Sequence, residues 1–154
     1  MTASASPGAE PPRYPADHRN LGTVSTDKNT DTGRAAVWST VFGGAGVLHF
    51  AARRFYDTLI PEQLPGEAKF WTWGSALIEF GLAAAIANPK TRAKAARPAA
   101  AFLVGVLPGN VKMAMDWQID DRKSPLLKVG GWLRVAAQVP MIISVLRVGR
   151  AGRR

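Results

Sequence analysis

A chain of 154 residues has room for one domain, and the absence of cysteine excludes disulfides, thiolate metal sites, iron–sulfur clusters and thiol redox chemistry within it. The formal net charge of +9 admits a nucleic acid or an anionic membrane surface as partner, and the placement of the charges decides between them. Mean hydropathy near zero hides a segregation of polar and apolar residues along the chain.

Residues 1–34 contain four prolines, many small polar residues and almost no large apolar ones. Such a composition buries too little apolar area to offset chain entropy, so a disordered cytoplasmic tail is expected, with His18 solvated inside it. It lacks the apolar core of a signal peptide. Four apolar segments follow, at 35–52, 70–87, 98–115 and 126–148. Each is near the ~17–25 residues that a helix needs to cross a bilayer. A soluble helix carries a charged face every three or four residues. The first three segments show none over their central turns apart from Glu79; the fourth is more mixed, with Lys128, Arg134 and Gln138. Asn88-Pro89 ends the second helix, and Pro108 and Pro140 are expected to kink the third and fourth. Gly43, Gly44 and Gly46, and the Gly105/Gly109 pair, suit close helix packing within the bundle. The expected fold is all-α: a four-helix transmembrane bundle over 35–148, followed by a basic cytoplasmic end at 149–154.

The charges give an orientation. The 88–97 connection has four Lys/Arg and no acid, and the chain closes on Arg147, Arg150, Arg153 and Arg154. The positive-inside rule places both of these, and the N-terminus with Arg34, in the cytoplasm of a multi-pass protein of the bacterial plasma membrane. The other two loops carry Asp57, Glu62, Glu67, Asp116, Asp120 and Asp121, beside several basic residues, and face outward. Trp71, Trp73 and Trp117 fall near the outer interface and Trp38 near the inner one. The +9 is then largely topology signal and lipid contact; a nucleic-acid partner is not expected, for want of a basic patch interleaved with reading elements.

A charged group in the bilayer centre costs a few kcal/mol, so Glu79 is expected either to be protonated or to face the bundle interior and have a partner. At 1.5 Å per residue it lies about 14 Å below the outer boundary, and Arg134 about 12 Å. Gln138 is one turn further along the face of Arg134, and Asn110 and His49 lie a few residues from the outer ends of their spans. Every span therefore carries a polar side chain into the outer half of the membrane. Glu79 and Arg134 are the expected ion pair, with His49, Asn110 and Gln138 as hydrogen-bonding neighbours. Such a network either fixes helix register or forms a head-group site for a quinone or similar small molecule, or a proton route. No catalytic residue or metal site is expected: Asp116, Asp120 and Asp121 lack the glycine-turn spacing of a calcium loop. Phosphate-loop, Ser/His/Asp and HExxH patterns are absent, and one intramembrane histidine cannot make a bis-histidine haem.

The segments GVLHF, RFYDTLIPEQLP, WGSALIEFGLAAAIANPKTRAKAA, VLPGNVKMAMD and WLRVAAQVPMI together resemble the DoxX family of small bacterial membrane proteins. The resemblance runs from about residue 43 to about 146. It rests on His49, Phe50, Pro61, Pro65, Glu79, Pro89, Pro108, Asn110, Met113, Arg134 and Gln138. LPGN stands where the family more typically has Phe-Pro-Ala-Asn, and RVAAQVP replaces a run richer in Leu and Pro. The resemblance implies a four-helix membrane protein and an association with quinone-linked oxidoreductase subunits as a non-catalytic subunit or scaffold. A small-solute or proton transporter, or a purely structural membrane protein, are the alternatives.

Overall fold

The computed structural model describes residues 19–150, with side chains from Asn29 onward. His18, Arg153 and Arg154 lie outside the described residues. Six helices occur among those described: α1 (Arg19–Ala51), α2 (Arg53–Leu59), α3 (Ala68–Ala87), α4 (Arg92–Gly105), α5 (Leu107–Ile119) and α6 (Pro125–Val145). Three stretches are long and apolar enough to cross a membrane: Ala68–Ala87, the α4–α5 run Arg92–Ile119, and Pro125–Val145. No more than 33% of any of their apolar windows is covered by the rest of the chain. Leu77, Leu126, Leu133 and Val139 are each more than 60% exposed, which suits hydrocarbon rather than water.

The first expected span takes a different form. Asn29–Ala51 and α2 are apolar enough only as a pair, and they meet at an angle of 101°. The break falls at Ala52 (φ −116°, ψ 32°), next to Arg53 and Arg54, where the apolar run of α1 gives way to charge. The third span is broken at Val106. Pro108 has no N–H to give to the carbonyl four residues back, so the helix stops upstream and restarts with Pro108 in its first turn, where that donor is not needed. In contrast, α6 runs through Pro140 as one element. Ser124 caps α6 by accepting from Leu127 N–H at 3.4 Å, and Thr91 closes the α3–α4 turn by donating to the Ala85 carbonyl at 2.7 Å.

Of the expected tail, residues 1–18 lie outside the described residues, but 19–34 belong to α1. Asp31 explains why that extension is held. It is 8% exposed, accepts from Gly149 N–H at 2.6 Å and lies 3.5 Å from Arg92 Nη1. Arg92 Nη2 donates to the Ala87 carbonyl at 3.2 Å, and Arg34 Nη1 to the Arg147 carbonyl at 3.4 Å. The start of α1, the α3–α4 turn and the end of α6 are therefore clasped at one end of the bundle. Gly149 is required there: its φ is +71°, and a β-carbon would lie 2.5 Å from Ala93 Cα.

Next to this clasp lies the apolar core, built from Ala35, Trp38, Phe42, Leu82, Ile86, Ala95, Ala99, Leu103, Val145 and Val148. Trp38, expected at the inner interface, is instead buried in this core, where its Nε1 donates to Ser144 Oγ at 3.2 Å. α1 packs along α3 and α5 along α6, with α4 against α3 and α6. Close approach uses fewer glycines than expected. A β-carbon at Gly46 would lie 3.0 Å from the Phe80 ring and one at Gly109 3.1 Å from the Leu59 carbonyl, whereas Gly44 and Gly105 face open space.

Asp31→Ala should lower stability in detergent by about 1–3 kcal/mol, because it strands the buried Gly149 N–H and the Arg92 guanidinium. Thermal unfolding followed by tryptophan fluorescence checks this, and an unchanged midpoint would mean that the clasp contributes nothing.

Candidate functional site: a polar cavity beneath the bent helix pair

At the end of the bundle opposite the clasp, the helices enclose a cavity of about 440 Å³. α1 supplies His49, α2 Tyr56 and Leu59, α3 Thr72, Ser75 and Glu79, α5 Asn110, and α6 Arg134, while the 60–64 loop supplies Ile60, Pro61, Gln63 and Leu64. The bend at Ala52 lays α2 over this space. Asp57 holds it there, accepting from Thr72 Oγ1 at 2.7 Å and from Arg53 Nη1 at 3.2 Å. Tyr56 stacks on His49 with ring centroids 3.9 Å apart.

Four of the five polar residues expected to converge line this cavity: His49, Glu79, Asn110 and Arg134. Gln138 does not line it. It is buried at 4% exposure one turn further along α6, with Oε1 unsatisfied among the described residues. The expected Glu79–Arg134 ion pair is also not the one formed. Glu79 meets His49 instead, with Oε2 2.9 Å from Nδ1. Arg134 Nε donates to Asn110 Oδ1 at 3.0 Å, tying α6 to α5. Both pairs border the same cavity, and helix-rise arithmetic along the chain does not orient a residue around the helix axis.

The cavity's hydrogen bonding is incomplete. His49 Nδ1 is 2.9 Å from both the Ala45 carbonyl and Glu79 Oε2, and a single N–H aligns with only one of them. The alignment is met at the carbonyl, so Glu79 Oε2 stays buried without an aligned donor. Asn110 Nδ2 is likewise buried without an acceptor. Glu79 is 6% exposed and Asn110 4%, so water at the molecular surface does not satisfy them. Leaving a buried polar group unpaired costs about 1–3 kcal/mol. A carboxylate and an amide are thus set in the wall of one cavity, the amide N–H₂ without an acceptor.

Tyr56, Thr72 and Ser75 were not anticipated as site residues. Thr72, Ser75 and Glu79 fall at i, i+3 and i+7 on α3, so helical spacing alone could have joined the first two to Glu79. Tyr56 had no such signal, because its position depends on the 101° bend. Among the outer acids, Lys112 pairs with Asp116 at 2.6 Å and Arg122 with Asp120 at 3.0 Å. The Arg122 side chain, with its backbone N–H, holds the exposed Asp120 carboxyl below the usual carboxylate range.

The fold and cavity define an all-helical, membrane-embedded class of protein with a polar chamber at one end of an apolar bundle. Residues 38–149 match the family described as Domain of unknown function (DUF8561), and the chain belongs to that family. The match takes in every residue that lines the cavity and begins after Asp31. No curated protein and no solved structure matches the chain.

The pairing pattern makes a testable distinction. Asn110→Ala and Arg134→Met should be non-additive in stability by about 0.6–1.7 kcal/mol, the range of polar contacts between membrane helices. Glu79→Gln and Arg134→Met should couple more weakly. The reverse order in a double-mutant cycle would restore the Glu79–Arg134 pair.

Proposed function

We propose that this is a multi-pass protein of the bacterial plasma membrane that binds a small molecule by its polar head in the cavity between His49, Glu79, Asn110 and Arg134. The observation that carries the reading is a chamber lined by His49, Glu79, Asn110 and Arg134 from four helices, in which Asn110 Nδ2 is buried without a partner and Glu79 Oε2 has only His49 beside it. A network kept only as packing glue satisfies its own donors and acceptors, because each orphan weakens the fold. Arg134 adds a cation whose terminal nitrogens have no partner among the described residues, and Tyr56 and His49 add stacked rings. A quinone fits this set: its ring carbonyls accept from Asn110 and Arg134, and a reduced ring hydroxyl donates to Glu79. With no cysteine and no intramembrane histidine besides His49, the chain has few redox groups of its own. The DoxX resemblance therefore supports a non-catalytic subunit or scaffold beside membrane oxidoreductase subunits.

The topology proposed is four crossings, counting the bent α1–α2 pair as one, with both termini cytoplasmic. The acid-free 88–97 connection and the basic end support it. Cysteines introduced at Glu62 and Thr91 report the sidedness. An impermeant reagent added from outside should label the first and not the second; the opposite pattern inverts the protein.

Binding is tested under anaerobic, reducing conditions with chain-free dimethoxyhydroquinone, whose ring hydroxyls both donate and accept, and purified protein in nanodiscs. Wild type should bind it, and Glu79→Gln and Asn110→Leu should each weaken binding about tenfold, the loss of one hydrogen bond to a charged or buried group. Equal affinity in wild type and both variants would remove the cavity as the site.

A further inference from the structure

A second recess lies against the first. Pro61, Gln63 and Pro108 line both, so the two recesses share a wall and lie side by side. Beyond those three residues its wall changes character: Val104, Leu107, Val111 and Met115 present an apolar strip along α4 and α5. Val104 and Met115 are 53% and 56% exposed on the outer surface of the α4–α5 run, itself long and apolar enough to span a membrane. Lys112 and Asp116, paired with each other, and Glu62 border the recess. A polar chamber and an apolar trough on a membrane-facing helix thus lie against one another.

From this adjacency we infer that the ligand is an amphiphile drawn laterally from the bilayer, with its head in the polar cavity and its apolar chain passing over the shared wall into the Val104–Leu107–Val111–Met115 trough. The inference rests on the cavity being a head-group site and adds where the chain goes and how the ligand enters. The head chemistry is fixed by the facing groups. An acceptor oxygen meets Asn110 Nδ2 and Arg134, and a donor meets Glu79 Oε2. A free solute of the same head chemistry would use only the cavity, whereas a lipid-borne one uses both recesses.

The test compares radiolabelled dimethoxyhydroquinone, kept reduced, with and without a ten-carbon chain, in nanodiscs of one fixed lipid composition so that partitioning is the same for every variant. Met115→Trp and Val104→Trp fill the trough from exposed positions outside the polar cavity. Each should lower the affinity for the chain-bearing hydroquinone about tenfold, the effect of roughly two methylenes losing apolar burial. Affinity for the chain-free ring should stay within about twofold. If both variants bind the chain-bearing hydroquinone as wild type does, while the free ring still binds, the chain does not lie in the trough and the inference fails alone. If wild type binds neither compound, the head-group reading falls and takes the inference with it. Two independent exposed substitutions keep the comparison decisive should one of them misfold.

Discussion

The organising constraint is that hydrocarbon satisfies no hydrogen bond. A polar side chain on a membrane helix therefore has to turn inward, and several such side chains on different helices meet in one place. In this chain His49, Glu79, Asn110 and Arg134 meet in that way, at the end of the bundle that the apolar core leaves open. The core of Phe42, Leu82, Ile86, Ala99 and Val145 sits beside the clasp end and makes no polar demand of its neighbours. The fold is thus graded along its axis, from the Asp31–Gly149–Arg92 clasp, through the apolar layer, to the cavity beneath α2.

The two polar ends differ in kind. At the clasp, Asp31 takes a backbone N–H that the end of α6 would otherwise leave unsatisfied, and Arg92 and Arg34 donate to carbonyls at helix ends. Those contacts tie three elements together, although Arg92 Nε stays buried without a partner. At the cavity the polar residues line open volume, and Asn110 Nδ2 has no partner. An isolated buried polar group is a stability cost that selection removes unless something else uses it. That difference is why the cavity, and not the clasp, carries the functional proposal.

Much of the architecture was legible in the sequence because it follows from composition over long windows. The apolar runs at 70–87 and 126–148 reappear as α3 and α6, and Pro108 foretold the interruption of the 98–115 run. Composition failed where one residue decides the outcome. Averaged over 34 residues the N-terminal stretch reads as a disordered tail, yet Asp31 fastens part of it to the bundle. The one available signal was the absence of proline between Pro15 and Pro61, which leaves a long helix permitted. Depth along a helix was similarly readable, and azimuth was not. Glu79 and Arg134 are at matching depths, but the faces they occupy give Glu79 to His49 and Arg134 to Asn110. Trp38 belonged by position to an aromatic belt, and packing against Phe42 with a hydrogen bond to Ser144 drew it into the core.

The central claim is that His49, Glu79, Asn110 and Arg134 are gathered on the cavity for a bound molecule. Native mass spectrometry of the protein released directly from its own membranes tests it most directly. The account predicts wild-type protein carrying a small-molecule adduct that survives mild activation, and its loss in the Glu79→Leu/Asn110→Leu double variant. Wild-type protein that flies bare, or an adduct that persists unchanged in the double variant, would contradict it.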